Sequence, residues 1–126
     1  MDELPYRRLA VWQKANELAI DILSLVERPA IARQWFFRNQ VASCAMSIAV
    51  NIAEGQGRGT DLDFASFVDR ARGSLFELDN WLLVAARRGY ITAAEEAAYS
   101  PRILEINAML FKLRTTLRGR GGRRTN

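Results

Sequence analysis

The sequence predicts an all-α protein, an antiparallel up-down-up-down four-helix bundle with left-handed packing. Three observations carry this. Apolar residues recur at three- and four-residue spacing in four long segments, the joints between them are short and hold proline, glycine or capping residues, and no stretch alternates with period two.

Between Tyr6 and Arg28 one apolar line runs Leu9, Trp12, Ala15, Ala19, Ile22, Val26, with a second at Val11, Leu18 and Leu25. Pro29 is expected to end this segment, because proline lacks an amide donor and disfavours helix at the residue before it. The second helix is expected to begin near Arg33 or Gln34, with Phe37, Val41, Cys44 or Ala45, Ile48 and Ile52 as its stripe. Its far end, SIAVNIAEGQGRG at 47–59, turns polar: Ser47, Asn51, Glu54 and Arg58 form one row beside the apolar one. A carboxylate near a helix C-terminus is disfavoured by some tenths of a kcal/mol, so Glu54 calls for a cation, and Arg58 is one candidate. Gly55 and Gly57 are expected to stop the helix through a positive φ.

Thr60 or Asp61 caps the third segment, whose core line is Phe64, Val68, Ala71, Leu75, Leu78, Leu82, Ala85. Arg87 and Arg88 suit its negative end, and Gly89 supplies a left-handed stop. Counting outward from the loop near Gly59 sets Ser47–Ala45 opposite Ala71–Gly73 and Glu54 opposite Phe64 rather than Arg72. Gly73 is therefore expected to permit close approach to Ala45 and Ala49. Thr92 and Glu95 form a capping box opening the fourth segment, in which Pro101 either kinks or restarts the helix before Ile103, Ile106, Leu110, Leu113 and Leu117. The glycine-arginine run that follows is read as frayed, giving a bundle domain at 1–117 and a flexible basic tail at 118–126.

The 126 residues, 49% hydrophobic and 25% charged, suit one domain with a real core. No apolar run approaches the roughly 20 residues that cross a bilayer, and MDELPYRR lacks the features of a secretory signal, so a cytoplasmic protein without membrane contact is expected. One cysteine and no histidine remove an internal disulfide, histidine catalysis and a Cys/His metal site; no metal, cofactor or enzymatic activity is expected. The carboxylate pairs Asp61/Asp63 and Glu95/Glu96 sit at helix starts, where acids suit the dipole. GQGRG follows a helix rather than a strand and lacks the lysine-serine ending of a phosphate loop. Cys44 lies on an apolar stripe and reads as core.

Charge is unevenly placed. Twelve basic residues and all 14 acids precede position 112, a balance of −2, while Lys112, Arg114, Arg118, Arg120, Arg123 and Arg124 follow. Arg114, Arg118, Arg120, Arg123 and Arg124 are thus the candidate contacts to a polyanion. With no aromatic in 112–126, such binding would be electrostatic and weakly selective. Helices one to three also carry apolar residues beyond one buried stripe, including Trp35, Phe36, Phe67, Trp81 and Val84; either self-association or a fatter core accounts for them.

LAVWQKANELA (9–19), SIAVNIAEGQGR (47–58) and ARGSLFEL (71–78) resemble the three most recognisable blocks of the 23S ribosomal-RNA intervening-sequence protein family, bacterial four-helix bundles. The family's motif positions fall on Trp12, Gln40, Ser47, Asn51, Glu54, Gly55, Arg58, Arg72, Gly73, Ser74 and Glu77. The resemblance implies a homopentameric barrel. Similarity to accessory proteins of diversity-generating retroelements implies binding of nucleic acid, RNA or an RNP, and of a reverse transcriptase. Relatives often carry basic residues where this chain has Ala42 and Ser43, and proline where it has Ala49, which shifts any nucleic-acid contact toward the C-terminus. Two functions are weighed: an oligomeric RNA- or RNP-associated binding protein, and a protein scaffold or adaptor without direct nucleic-acid binding. The Asn51–Glu54–Arg58 row reads as a polar network within or between subunits ahead of a ligand site.

Overall fold

The computed structural model describes residues 2–124, with side chains through Gly121. A 3-10 turn at Pro5–Arg8 leads into α1 (Ala10–Leu25), the one-turn α2 (Pro29–Ala32), α3 (Trp35–Gln56), α4 (Asp61–Arg87) and α5 (Ala93–Arg124). Among the described residues there is no strand. The four long helices form a bundle in which α3 packs on α1 and α4, α4 on α5, and α1 meets α5 along a narrower seam.

Core positions follow the apolar stripes. Val11, Ala15, Leu18, Ile22 and Leu25 of α1 are buried, as are Val41, Ala45, Ile48 and Ile52 of α3, Val68, Ala71, Leu75, Leu78 and Leu82 of α4, and Ile103, Ile106, Leu110 and Leu117 of α5. Each large aliphatic side chain removed from water contributes about 1.5–3 kcal/mol, so these stripes dominate the stability. The surplus apolar residues divide: Phe67 is buried and Trp81 and Val84 half-buried, while Trp35 and Phe36 stay outside.

Several local signals operate as the chain writes them. Thr60 Oγ1 accepts from the Asp63 amide at 3.1 Å. The Thr92 hydroxyl accepts from the Glu95 amide at 3.1 Å and the Glu95 carboxylate from the Thr92 amide at 2.8 Å, a reciprocal capping box. Gly89, at φ 75°, is the one positive-φ residue among those described.

Other signals resolve differently. Pro29 does not end the first helix, which stops at Leu25 ahead of it; Arg28 is extended (ψ 137°) and Pro29 opens α2 at a first-turn position, where a missing amide costs nothing. Pro101 neither stops nor restarts α5, because the carbonyl it leaves unbonded, on exposed Ala97, faces water. Gly57 ends α3 at φ −76°, without a left-handed residue. Gly55 instead lies inside the helix for lack of room: a Cβ there would stand 2.6 Å from Phe67 Cβ and 2.8 Å from Phe64 Cδ1. Gly73 is exposed, and a Cβ on it would meet nothing within 4 Å, so the expected approach to Ala45 and Ala49 does not occur. The counted register is nevertheless close, since Ser74 reaches Ser47 and the error is one of helix face. Finally, α5 does not fray after Leu117. It continues to Arg124, and Gly121 packs where a Cβ would stand 2.7 Å from the Leu62 side chain. Glycine there lets α5 lie against the first turn of α4, and the tail expected at 118–126 is helical as far as it is described.

Opposite outcomes are expected at two glycines. Gly55→Ala should lower stability by about 1–3 kcal/mol, because Phe67 Cβ is tied to the α4 backbone and cannot yield. Gly73→Ala should raise it by up to about 1 kcal/mol through helix propensity alone. Urea denaturation of both variants checks the pair.

Candidate functional site

The polar row of α3 divides along its length. At one end it is tied down: Asn51 Nδ2 donates to the Ser47 carbonyl (2.8 Å) and to Ser47 Oγ (2.9 Å), and the Ser74 hydroxyl donates to Ser47 Oγ across the α3–α4 seam (2.9 Å). Half-buried polar groups at a helix interface are costly unless paired, and paired they fix which residues stand opposite. Glu54, one turn on, is exposed and forms no ion pair among the described residues. Arg58 does not answer it. Its guanidinium lies 4.8 Å from the centroid of the Phe67 ring, whose other visitor is Arg70 at 4.5 Å. The attraction between guanidinium and aromatic face, about 0.5–1 kcal/mol at exposed sites, turns Arg58 toward α4 instead of back along α3.

The third block, ARGSLFEL on α4, meets α5 through Arg72. Arg72 Nε donates to Asn107 Oδ1 at 3.2 Å and its guanidinium lies 5.6 Å from the Phe76 and 5.3 Å from the Phe111 ring centroid. Glu77 accepts from Trp81 Nε1 at 3.1 Å one turn away. Trp12 stacks edge-on against Tyr6, with ring centroids 5.0 Å apart, and pins the N-terminal turn to α1. Gln40 is half-buried on α3, and no hydrogen bond of its side chain occurs among the described residues.

The basic C-terminal residues are partly neutralised. Arg114 and Arg118, one turn apart on α5, grip Asp69 at 2.5 and 2.7 Å, and Arg120 reaches Asp61 at 3.3 Å. Partial burial pushes the Asp69 carboxyl up, but hydrogen bonds from Arg118 and then Arg114 outweigh it and hold the group below its usual range. Arg123 lies on α5, and its side chain, like that of Arg124, is outside the described residues. Spacing in the sequence pointed to Arg114, Arg118 and Arg120 but not to their carboxylate partners 45 and more residues away, nor to the Arg58–Phe67–Arg70 stack; only the α4–α5 and α3–α4 seams bring these together.

Burial, reinforced by Glu77, raises the Cys44 thiol to about 12, so it stays protonated at neutral pH. Among the described residues no three histidine, cysteine or acidic side chains cluster to hold a metal, and no helix is long and apolar enough to cross a membrane.

A sequence profile described as 23S rRNA-intervening sequence protein matches residues 7–112. A crystal structure from Bacteroides thetaiotaomicron, of a protein with unknown function from the S23 ribosomal protein family, superposes with a TM-score of 0.75 at 23% identity, over 82% of this chain and 97% of that one. No curated protein matches.

Asp69→Asn should lower stability by up to about 1 kcal/mol, the scale of partly exposed ion pairs. The sign follows from its lowered pKa: the stabilisation is present above the unfolded value of 3.8 and is lost as the pH falls below it. The gap between variant and unaltered chain should therefore narrow in thermal melts as the pH is taken from 6 to 3, and close only once the pH has passed below the folded-state value as well.

Proposed function

The chain belongs to the 23S rRNA-intervening sequence protein family, and from that premise we propose that it is a non-enzymatic, cytoplasmic homo-oligomer, most simply a pentameric barrel of antiparallel up-down-up-down bundles, that binds RNA or an RNP electrostatically. The observation that supports nucleic acid is the charge at one end of the bundle. There Arg58 and Arg70 stand on Phe67 while Arg114, Arg118 and Arg120 line the adjoining turns of α5, and the acids Asp61 and Asp69 neutralise only part of this charge. A polyanion gains by releasing counterions to such a surface, and several copies in a ring multiply weak single contacts.

Support for a ring comes from two unlike apolar patches. Around the bundle the helices follow in the order α1, α3, α4, α5, so the α1/α3 side is opposite the α4/α5 side. On the first, Ile20, Met46 and Val50 are exposed along a groove of about 360 Å³ that Tyr6 and Trp12 also line. On the second, Phe76, Leu104 and Phe111 are exposed. Met46 and Val50 flank Ser47, level with Ser74; Leu104 and Phe111 flank Asn107, level with Arg72. Both patches thus occupy one band of height. Unlike faces on opposite sides at equal height suit a heterologous contact, which closes into a ring where the rotation from one copy to the next divides a full turn.

One observation favours an adaptor instead, including service to a reverse transcriptase: Arg114, Arg118 and Arg120 already hold carboxylates. Salt-dependent binding separates the two readings. The Arg118→Gln/Arg120→Gln/Arg123→Gln/Arg124→Gln chain should bind an unstructured RNA more weakly, with the log–log salt slope flattened by up to about 3 per engaged protomer, and Asp69→Asn should bind more tightly. Fluorescence anisotropy at several salt concentrations measures both, and equal slopes in all three proteins would favour the adaptor.

Light scattering tests the ring. The unaltered chain should appear at about five times 14.3 kDa. Val50→Arg and Phe111→Arg should each be monomeric alone and form a heterodimer when mixed, since each retains one good face. A mixture that stays monomeric would remove the heterologous contact.

A further inference from the structure

Trp35 and Phe36, 70% and 62% exposed, open α3 with their rings edge to face at 6.3 Å. They belong to neither side patch. Next to them Phe37 is anchored, its ring 5.6 Å from Trp81 and 5.4 Å from Tyr90, and Arg88 lies over Tyr90 at 5.9 Å. The Ser47–Ser74 contact sets the register of the two helices, so the first turn of α3 is level with the last turn of α4. Trp35 and Phe36 therefore share one end of the bundle with Arg87 and Arg88, and Arg33 precedes Trp35 by two residues. At this end Glu27 is taken by Arg38 and Glu95 by Arg28. Among the described residues no carboxylate pairs with Arg33, Arg87 or Arg88.

We propose that this end face binds unpaired nucleotides, Trp35 and Phe36 stacking on bases while Arg33, Arg87 and Arg88 take the flanking phosphates. Exposed rings beside uncompensated guanidiniums are the pairing that single strands select: every base offers a flat face, and each phosphate a negative charge. A duplex hides its base faces. A second copy seated on the sides of the bundle leaves the end open. The inference rests on the nucleic-acid reading above and gives it a second surface, since Arg118 and Arg120 lie at the opposite end, where α5 finishes beside the first turn of α4.

The test uses the full chain and the Trp35→Ala/Phe36→Ala variant, whose altered side chains are exposed and whose circular dichroism and thermal midpoint should match the original. Anisotropy is measured with labelled oligouridine of about 15 nucleotides, with an abasic oligomer of equal length, and with anionic vesicles. The variant should bind oligouridine about tenfold or more weakly at unchanged salt slope, because stacking and not phosphate contact is lost. The unaltered chain should bind the abasic oligomer as weakly as the variant binds oligouridine. In Arg33→Gln/Arg87→Gln the slope should fall by about 1.4, or 0.7 for each phosphate released. If the unaltered chain binds oligouridine and the double-alanine variant binds it equally well, the end face is not the site, while the nucleic-acid reading stands. If the unaltered chain binds no oligomer at all, both fail. Loss of vesicle binding with oligouridine binding intact would give the patch to a lipid surface and overturn the proposal.

Discussion

The absence of one carbon atom, Cβ at Gly55, sets how α3 and α4 meet. Phe64 and Phe67 of α4 press into the space that any other side chain would occupy, so the two helices approach closely just before their connecting loop. From that point the pairing runs back along the seam until Ser74 meets Ser47, and the Asn51 amide closes the polar cluster behind them. Phe67 is buried beside this contact, with its ring left to Arg58 and Arg70. A glycine that looks like a helix stop in one dimension is a packing device in three, and the family's NIAEG block is explained by contact more than by termination.

A second constraint holds α5. Its C-terminal turns are rich in glycine and arginine, a composition that would not stay helical alone. Two features stabilise it here: Gly121 nests on Leu62, and Asp69 and Asp61 on α4 draw in Arg114, Arg118 and Arg120. The same carboxylates that order the helix reduce the charge it can offer a polyanion. Structure and electrostatic function therefore compete for the same guanidiniums. Arg58, Arg70, Arg72 and Arg88 have aromatic partners rather than acidic ones, so among the described residues no carboxylate offsets them.

Four surfaces then differ in character. The two apolar sides, at matched height, suit association of like chains, while the two ends carry the unneutralised positive charge. Such a division fits a protein that presents a repeated surface to an extended partner better than one that encloses a small molecule. The open groove between the end of α1 and the start of α5 is consistent with this: its Arg28–Glu95 and Arg102–Asp21 ion pairs satisfy one another across the narrow seam.

The fold was legible in the sequence because amphipathic periodicity is a local property: the stripes of α1, α3, α4 and α5, the Thr60 cap, the Thr92–Glu95 box and the left-handed Gly89 each depend on residues within a turn or two. Much of the family's motif was legible too, as a pattern without a geometry. What only the tertiary structure decided are the partners across helices. Whether a glycine stops a helix, makes room for a neighbour or faces water depends on what stands opposite, and Gly57, Gly55 and Gly73 take these three fates in turn. Likewise an arginine is counted as free charge until its neighbours are known, and Asp69 lies 45 residues before Arg114. Periodicity fixes which face of a helix is buried; the atoms it meets there are set by the other helices, whose relative heights no local pattern encodes.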